Sequence, residues 1–125
     1  MNGQVIKEIH ERIVKNFMDI LIMTELKNAP MSGYDAISFI HKKFHILISS
    51  GTVYSLLYSL ERDGLIEGKF NNRKRVYGLT AKGEETIQTI QQASERIQTF
   101  MLNLLKRFNN TKSLKEELDT VVYSN

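Results

Sequence analysis

Apolar residues recur along the start of the chain at Ile6, Ile9, Ile13, Phe17, Ile20 and Leu21, and the stripe runs on to Thr24. Steps of three and four bring such positions onto one side of a helix, so the pattern predicts a long amphipathic helix over about 4–26. Asn28-Ala29-Pro30 ends it, because a proline ring disfavours helical backbone at the residue before it.

Ser32-Gly33-Tyr34-Asp35 follows with the spacing of a capping box. The Ser32 hydroxyl can accept from the third helical amide while Asp35 reaches back to the cap amide. A short helix to about residue 43 is expected, with Ile37 and Ile40 facing inward. After the brief apolar connection His45-Ile46-Leu47-Ile48, either Ser49 or Ser50 can cap a helix over about 51–62. Its apolar side is Val53, Leu56, Leu57 and Leu60, and Asp63-Gly64 stops it, glycine suiting the left-handed position past a helix end.

Residues 65–70 and 75–79 read as two short strands, and Asn71-Asn72-Arg73-Lys74 between them is turn chemistry. Thr80 caps a helix predicted over about 81–108; Asn109-Asn110 breaks the pattern, and a last amphipathic piece spans about 113–123. Three helices, a hairpin and a long helix, with only a short turn between the second and third helices, spell a winged helix-turn-helix. The expected fold class is mostly α with a small β-hairpin. The expected organisation is a DNA-binding domain over 1–80 and a helical dimerisation arm over 81–125.

Composition narrows the function classes. The 125 residues include no cysteine, which removes disulfides, thiolate metal sites and cysteine nucleophiles and fits a reducing cytoplasm. No apolar run reaches the roughly 18 residues of a membrane span, and the charged N-terminal pattern is not that of a signal peptide, so a cytoplasmic protein without membrane attachment is expected. The net charge of +3 identifies nothing by itself, but the positive charge is concentrated. Lys69, Arg73, Lys74 and Arg75 crowd the hairpin without an acid among them. A turn carrying such a cluster can track a phosphate backbone or enter a minor groove.

The helix over 51–62 carries Thr52, Ser55, Tyr58, Ser59 and Arg62 opposite its leucines, with Tyr54 at the margin. Hydroxyls and a guanidinium match the hydrogen-bonding edges of bases and phosphates in a major groove. Amides near Ser50 and Gly51 add a dipole-assisted phosphate site, and Gly51 permits close approach. The candidate DNA-contacting set is therefore Ser32, Tyr34, Ser50, Gly51, Thr52, Tyr54, Ser55, Tyr58 and Arg62, with Asn72, Arg73, Lys74 and Arg75 from the wing.

A second pattern concerns assembly. Ile87, Ile90, Ser94, Ile97, Met101, Leu104 and Phe108 alternate steps of three and four, a heptad seam with one polar break at Ser94. A helix of about 28 residues is roughly 40 Å long, more than a small winged core can cover. The seam therefore predicts a homodimer, with the first helix as the surface it packs against. His41 and His45 stand four apart, but a metalloprotease glutamate and a third ligand are both missing. Their place near a helix end favours a dipole contact, and no metal, cofactor or catalytic constellation is expected.

The stretches Ser32-Gly33-Tyr34-Asp35, Gly51-Thr52-Val53-Tyr54 with Leu56-Leu57, Leu60-Glu61-Arg62-Asp63-Gly64-Leu65-Ile66, and Arg75-Val76-Tyr77-Gly78-Leu79-Thr80-Ala81-Lys82-Gly83 together resemble the PadR family of transcriptional regulators, in order and in spacing. The resemblance covers about residues 19–85. Ser50 and Ser55 stand where that family often has proline, and the short C-terminal region is similar to its smaller branch. The likeness implies a dimeric, repressor-like factor acting on double-stranded DNA, often relieved by a small phenolic or drug-like effector, and it points to no residue as the effector's ligand. A winged module used only for protein–protein contact is the alternative, and the basic wing distinguishes the two.

Overall fold

The computed structural model describes residues 2–108. The element order is α1 (Asn2–Asn16), α2 (Met18–Leu26), β1 (Met31–Ser32), α3 (Gly33–Phe44), α4 (Ser50–Arg62), β2 (Ile66–Asn71), β3 (Lys74–Leu79), α5 (Ala81–Gln92) and α6 (Ser94–Arg107). This is the expected winged arrangement, with differences of detail. The chain forms two compact units, Met1–Ile87 and Gln88–Asn125.

The first unit is the winged core. Ile22, Ile40, Val53, Leu57, Ile66 and Ile87 are its largest fully buried side chains, so every helix from α2 to α5 and strand β2 contributes to the apolar core. Burying side chains of this size contributes about 1.5–3 kcal/mol each.

The predicted first helix is divided at Phe17, whose backbone leaves helical values (φ −110°, ψ 13°). Hydrogen bonds nevertheless continue through it, Phe17 to Ile13 at 3.1 Å and Leu21 to Phe17 at 2.9 Å. The buried side also differs from the expected stripe. Val14, Met18, Ile22, Met23 and Leu26 face the core, while Ile6, Ile9, Ile13 and Phe17 remain exposed. The reason is that α2 is apolar on nearly every side, so periodicity alone could not choose which line of residues would be covered.

The capping box forms as read: the Ser32 hydroxyl accepts from the Asp35 amide at 3.1 Å, and the Ser32 amide donates to Asp35 Oδ2 at 3.0 Å. Of the two inward residues expected on α3, Ile40 is buried and Ile37 half-buried. His45 closes α3 in the left-handed conformation (φ 56°), donating to the His41 carbonyl at 2.9 Å. Ser49, rather than Ser50, caps α4 and accepts from the Thr52 amide at 3.2 Å. At the other end, Gly64 (φ 76°) donates to Glu61 and Leu65 donates to Leu60, the paired bonds of a left-handed helix stop.

The sheet has three strands, not two. The two-residue β1 adds to β3 in the order β1-β3-β2, all antiparallel, pairing Met31 with Tyr77 and Ser32 with Val76. Two residues are too few to leave an alternating pattern, so this strand had no legible signal. Thr80 then starts α5: its hydroxyl accepts from the Gly83 amide at 3.1 Å and donates to the Gly64 carbonyl at 2.6 Å.

The expected continuous helix over 81–108 is interrupted at Ala93 (φ −93°, ψ 6°), although Ala93 still donates to Thr89 and accepts from Ile97. The piece expected over about 113–123 lies outside the described residues.

Candidate nucleic-acid interface

α3 and α4 are joined by residues 45–49, of which Ile46 is buried and holds the turn to the core. On α4, Val53, Leu57 and Leu60 fill the inner side. Ser50, Gly51, Thr52, Tyr54, Ser55, Tyr58 and Arg62 are all exposed on the outer one. Tyr34, at the start of α3, is 70% exposed and Tyr58 is 66% exposed. Large aromatic rings are seldom left so open without a partner.

Tyr54 is placed by a specific contact. Its ring packs directly on Gly33, in the space a Cβ there would occupy. The outer face of α4 is thereby fixed against the first turn of α3. Arg62 extends over the Tyr58 ring at 5.9 Å and stands 3.7 Å from Asp63, both partners being open to solvent. At Gly51 the surroundings are open, so nothing of the protein blocks approach to the first turn of α4.

The wing turns through Asn72 (φ 50°) and Arg73 (φ 68°), between Asn71 and Lys74, which pair across the strands. Positive φ at both central residues is the hairpin geometry that matches strand twist, and it ordinarily selects Asn-Gly. Arginine at the second position carries a backbone cost of about 1 kcal/mol. All residues from Lys69 to Arg75 are exposed. Among the described residues Lys69, Arg73 and Lys74 form no ion pair, whereas Arg75 bonds Glu61 at 2.7 Å.

Two carboxylates are held below the ordinary carboxylate range. The Ser32 amide and then the Ser32 hydroxyl stabilise ionised Asp35, with a further contribution from the charge of Lys74. Arg75 and then the Gly68 amide do the same for Glu61.

Ser32 and Arg75 are the candidate residues whose polar groups the fold itself commits furthest. Ser32 is buried, with its hydroxyl committed to the cap, so its role is to orient α3 rather than to offer a surface hydroxyl. Arg75 is tied to α4. Sequence reasoning passed over Glu61, a lone acid in the last turn of a helix, whose partners seven and fourteen residues on become neighbours only once the hairpin folds back.

The sequence profile of the family described as transcriptional regulator PadR-like matches residues 22–89, more than half of the chain. The chain belongs to the PadR-like family of transcriptional regulators. Solved structures agree with the fold. A PadR family transcription regulator from Clostridium difficile R20291 is 24% identical, with a TM-score of 0.65 over 71% of this chain and 98% of that one. A PadR-like transcriptional regulator from Bacillus cereus ATCC 14579 is also 24% identical, with a TM-score of 0.67 over 75% and 96%. A padr family transcriptional regulator from Eggerthella lenta DSM 2243 is 18% identical, with a TM-score of 0.70 over 83% and 95%. No curated protein matches this regulator in sequence.

The seam expected for dimerisation divides in the fold. Ile87 is fully buried in the first unit and is not available to a partner. In the second unit Ile90 and Met101 are half-buried, while Ser94, Ile97, Leu104 and Phe108 are exposed. Ile90, Ser94, Ile97, Met101, Leu102 and Leu105 line an apolar groove of about 480 Å³ along this arm. Among the described residues no helix is long and apolar enough to cross a membrane, and no cluster of three or more His, Cys, Asp or Glu side chains could hold a metal ion.

Proposed function

We propose that this PadR-like regulator binds a pseudo-palindromic operator in double-stranded DNA as a homodimer in the cytoplasm and acts as a repressor, without catalytic activity. One observation carries the reading. The exposed outer face of α4 stands beside a wing whose Lys69, Arg73 and Lys74 have no acidic partner within ion-pair distance among the described residues. Cations held in that state on a hairpin turn are suited to replace the counterions of a phosphate backbone. Thr52, Tyr54, Ser55, Tyr58 and Arg62 then meet base edges and sugars in the major groove, with Ser50 and Gly51 at a phosphate and Tyr34 and Asn72 flanking.

Dimerisation is supported by apolar surface that stays exposed among the described residues. Ile6, Ile9 and Ile13 on α1 with Phe17 just after it, and Ile97, Phe100, Leu104 and Phe108 further along the chain, are all exposed. A second copy is the occupant we assign to these stripes, with Ile90 and Met101 contributing from the edge of the groove. Two α4 helices about 34 Å apart would then read one half-site each. A small-molecule effector that binds one arrangement of the arms more tightly would change operator affinity by population shift.

The test is the double substitution Arg73→Ala with Lys74→Ala. Affinity should fall on every duplex regardless of sequence, and the dependence of log K on log salt should flatten by about 0.9 per lost phosphate contact. Unchanged affinity and slope would remove the wing from the interface.

A further inference from the structure

Glu61 stands in the last turn of α4, and its Oε2 accepts two hydrogen bonds from the wing. The Gly68 amide donates at 2.9 Å and Arg75 Nη2 at 2.7 Å. β2 lies at the edge of the sheet, and Gly68 sits opposite Tyr77 across the ladder. The carboxylate therefore takes up an edge amide that would otherwise be left open.

The Arg75 side chain is held on more than one side. Its guanidinium lies 5.5 Å from the Phe70 ring centroid and 5.8 Å from that of Tyr77, the first on the opposite strand and the second further from the wing tip. It also fills the space over Gly68, where an added Cβ would come within 2.5 Å of Arg75 Nε. A guanidinium that grips a phosphate must point its fork outward. This one is directed back along the hairpin, with Nη2 on a carboxylate. If it left for DNA, it would expose the Glu61 carboxylate beside a polyanion, a like-charge contact that opposes binding.

We infer that Arg75 is a strut rather than a phosphate ligand, and that Glu61 is a positioning residue, locking the wing to the C-terminal end of α4. The phosphate-facing charge of the wing is then Lys69, Arg73 and Lys74. Glu61 and Arg75 set the distance between that charge and the base-reading face, so that both engage one duplex together. The affinity readout of this assignment rests on the DNA-binding reading above; the geometry of the clamp does not.

The test uses the full chain and a mixed-sequence duplex of about 30 base pairs. Glu61→Gln combined with Arg75→Gln leaves the net charge unchanged. Because no phosphate contact is lost, the pair should keep the wild-type salt slope while binding about three- to tenfold more weakly. Arg73→Gln alone should lower the slope by about 0.9. A slope in the paired variant that drops as far as in Arg73→Gln would make Arg75 a phosphate ligand and overturn the inference.

Amide hydrogen exchange on the free protein gives a second readout that needs no DNA. Glu61→Ala and Arg75→Gln should each speed exchange at the Gly68 amide about tenfold or more, and Arg73→Gln should not. Unchanged Gly68 exchange in Arg75→Gln overturns the strut. If the wild type fails to bind any duplex while the exchange results hold, the function proposed above fails and the clamp stands.

Discussion

Arg73 occupies a backbone position where glycine would be more comfortable. Its φ of 68° is the second of two left-handed residues in a tight hairpin, and an arginine there gives up stability for a charge at the wing tip. Arg73→Gly should therefore raise stability by about 0.5–1 kcal/mol in chemical denaturation while weakening DNA binding. Opposite signs in the two measurements would separate function from folding; a loss in both would contradict this account of the turn.

Two glycines make a similar contrast. At Gly83 an added Cβ would run into the Leu65 carbonyl, which cannot move without disturbing the Gly64–Leu65 helix stop. Gly83→Ala should cost about 1–3 kcal/mol in thermal or chemical unfolding. At Gly33 the obstacle is the Tyr54 ring, a half-exposed side chain that can swing away. Gly33→Ala should thus change stability by less than about 1 kcal/mol yet weaken operator binding, because the ring leaves its place on α3.

At the scale of elements, pH dependence follows from the two caps on the site. Asp35 and Glu61 have folded-state pKa values below their unfolded ones, so their contribution is fully present above the ordinary carboxylate range. It is lost as pH falls through the depressed folded values, and melting temperature should drop on acidification below about pH 5. Asp35→Asn or Glu61→Gln should flatten that acid limb in melts recorded across pH, whereas an unchanged limb would mean the carboxylates are unlinked to folding.

Most elements were legible in the sequence for identifiable reasons. Ser32 and Asp35 spelled the cap, Gly64 the helix stop, and the Asn-rich turn between apolar runs the hairpin. Several features were not, among them the helix interruptions at Phe17 and Ala93. β1 is too short to show a period, and the apolar residues of α2 leave its buried side undetermined. The Glu61–Gly68–Arg75 clamp joins residues that become neighbours only in three dimensions. Of the candidate site, the outer face of α4 could be read from the spacing of Val53, Leu57 and Leu60. The cation count of the wing could be read too, but not which cation the fold would occupy.

For the whole molecule, the proposed homodimer would bury the exposed apolar stripes on α1 and α6 against a second copy. Sedimentation equilibrium should return twice the 14.5 kDa chain mass. Leu104→Glu with Phe108→Glu should shift the protein towards monomer and weaken operator binding, since two linked half-sites become one. A variant that stays dimeric would place the interface elsewhere.

The central claim, that two α4 helices and their wings read a two-fold symmetric operator, is tested most directly by selection. The purified protein is incubated with a random-sequence duplex pool at moderate salt, and the retained DNA is sequenced. The account predicts enrichment of an inverted repeat whose half-sites lie about one helical turn apart. Retention without any shared motif, or no retention even at low salt, would contradict it.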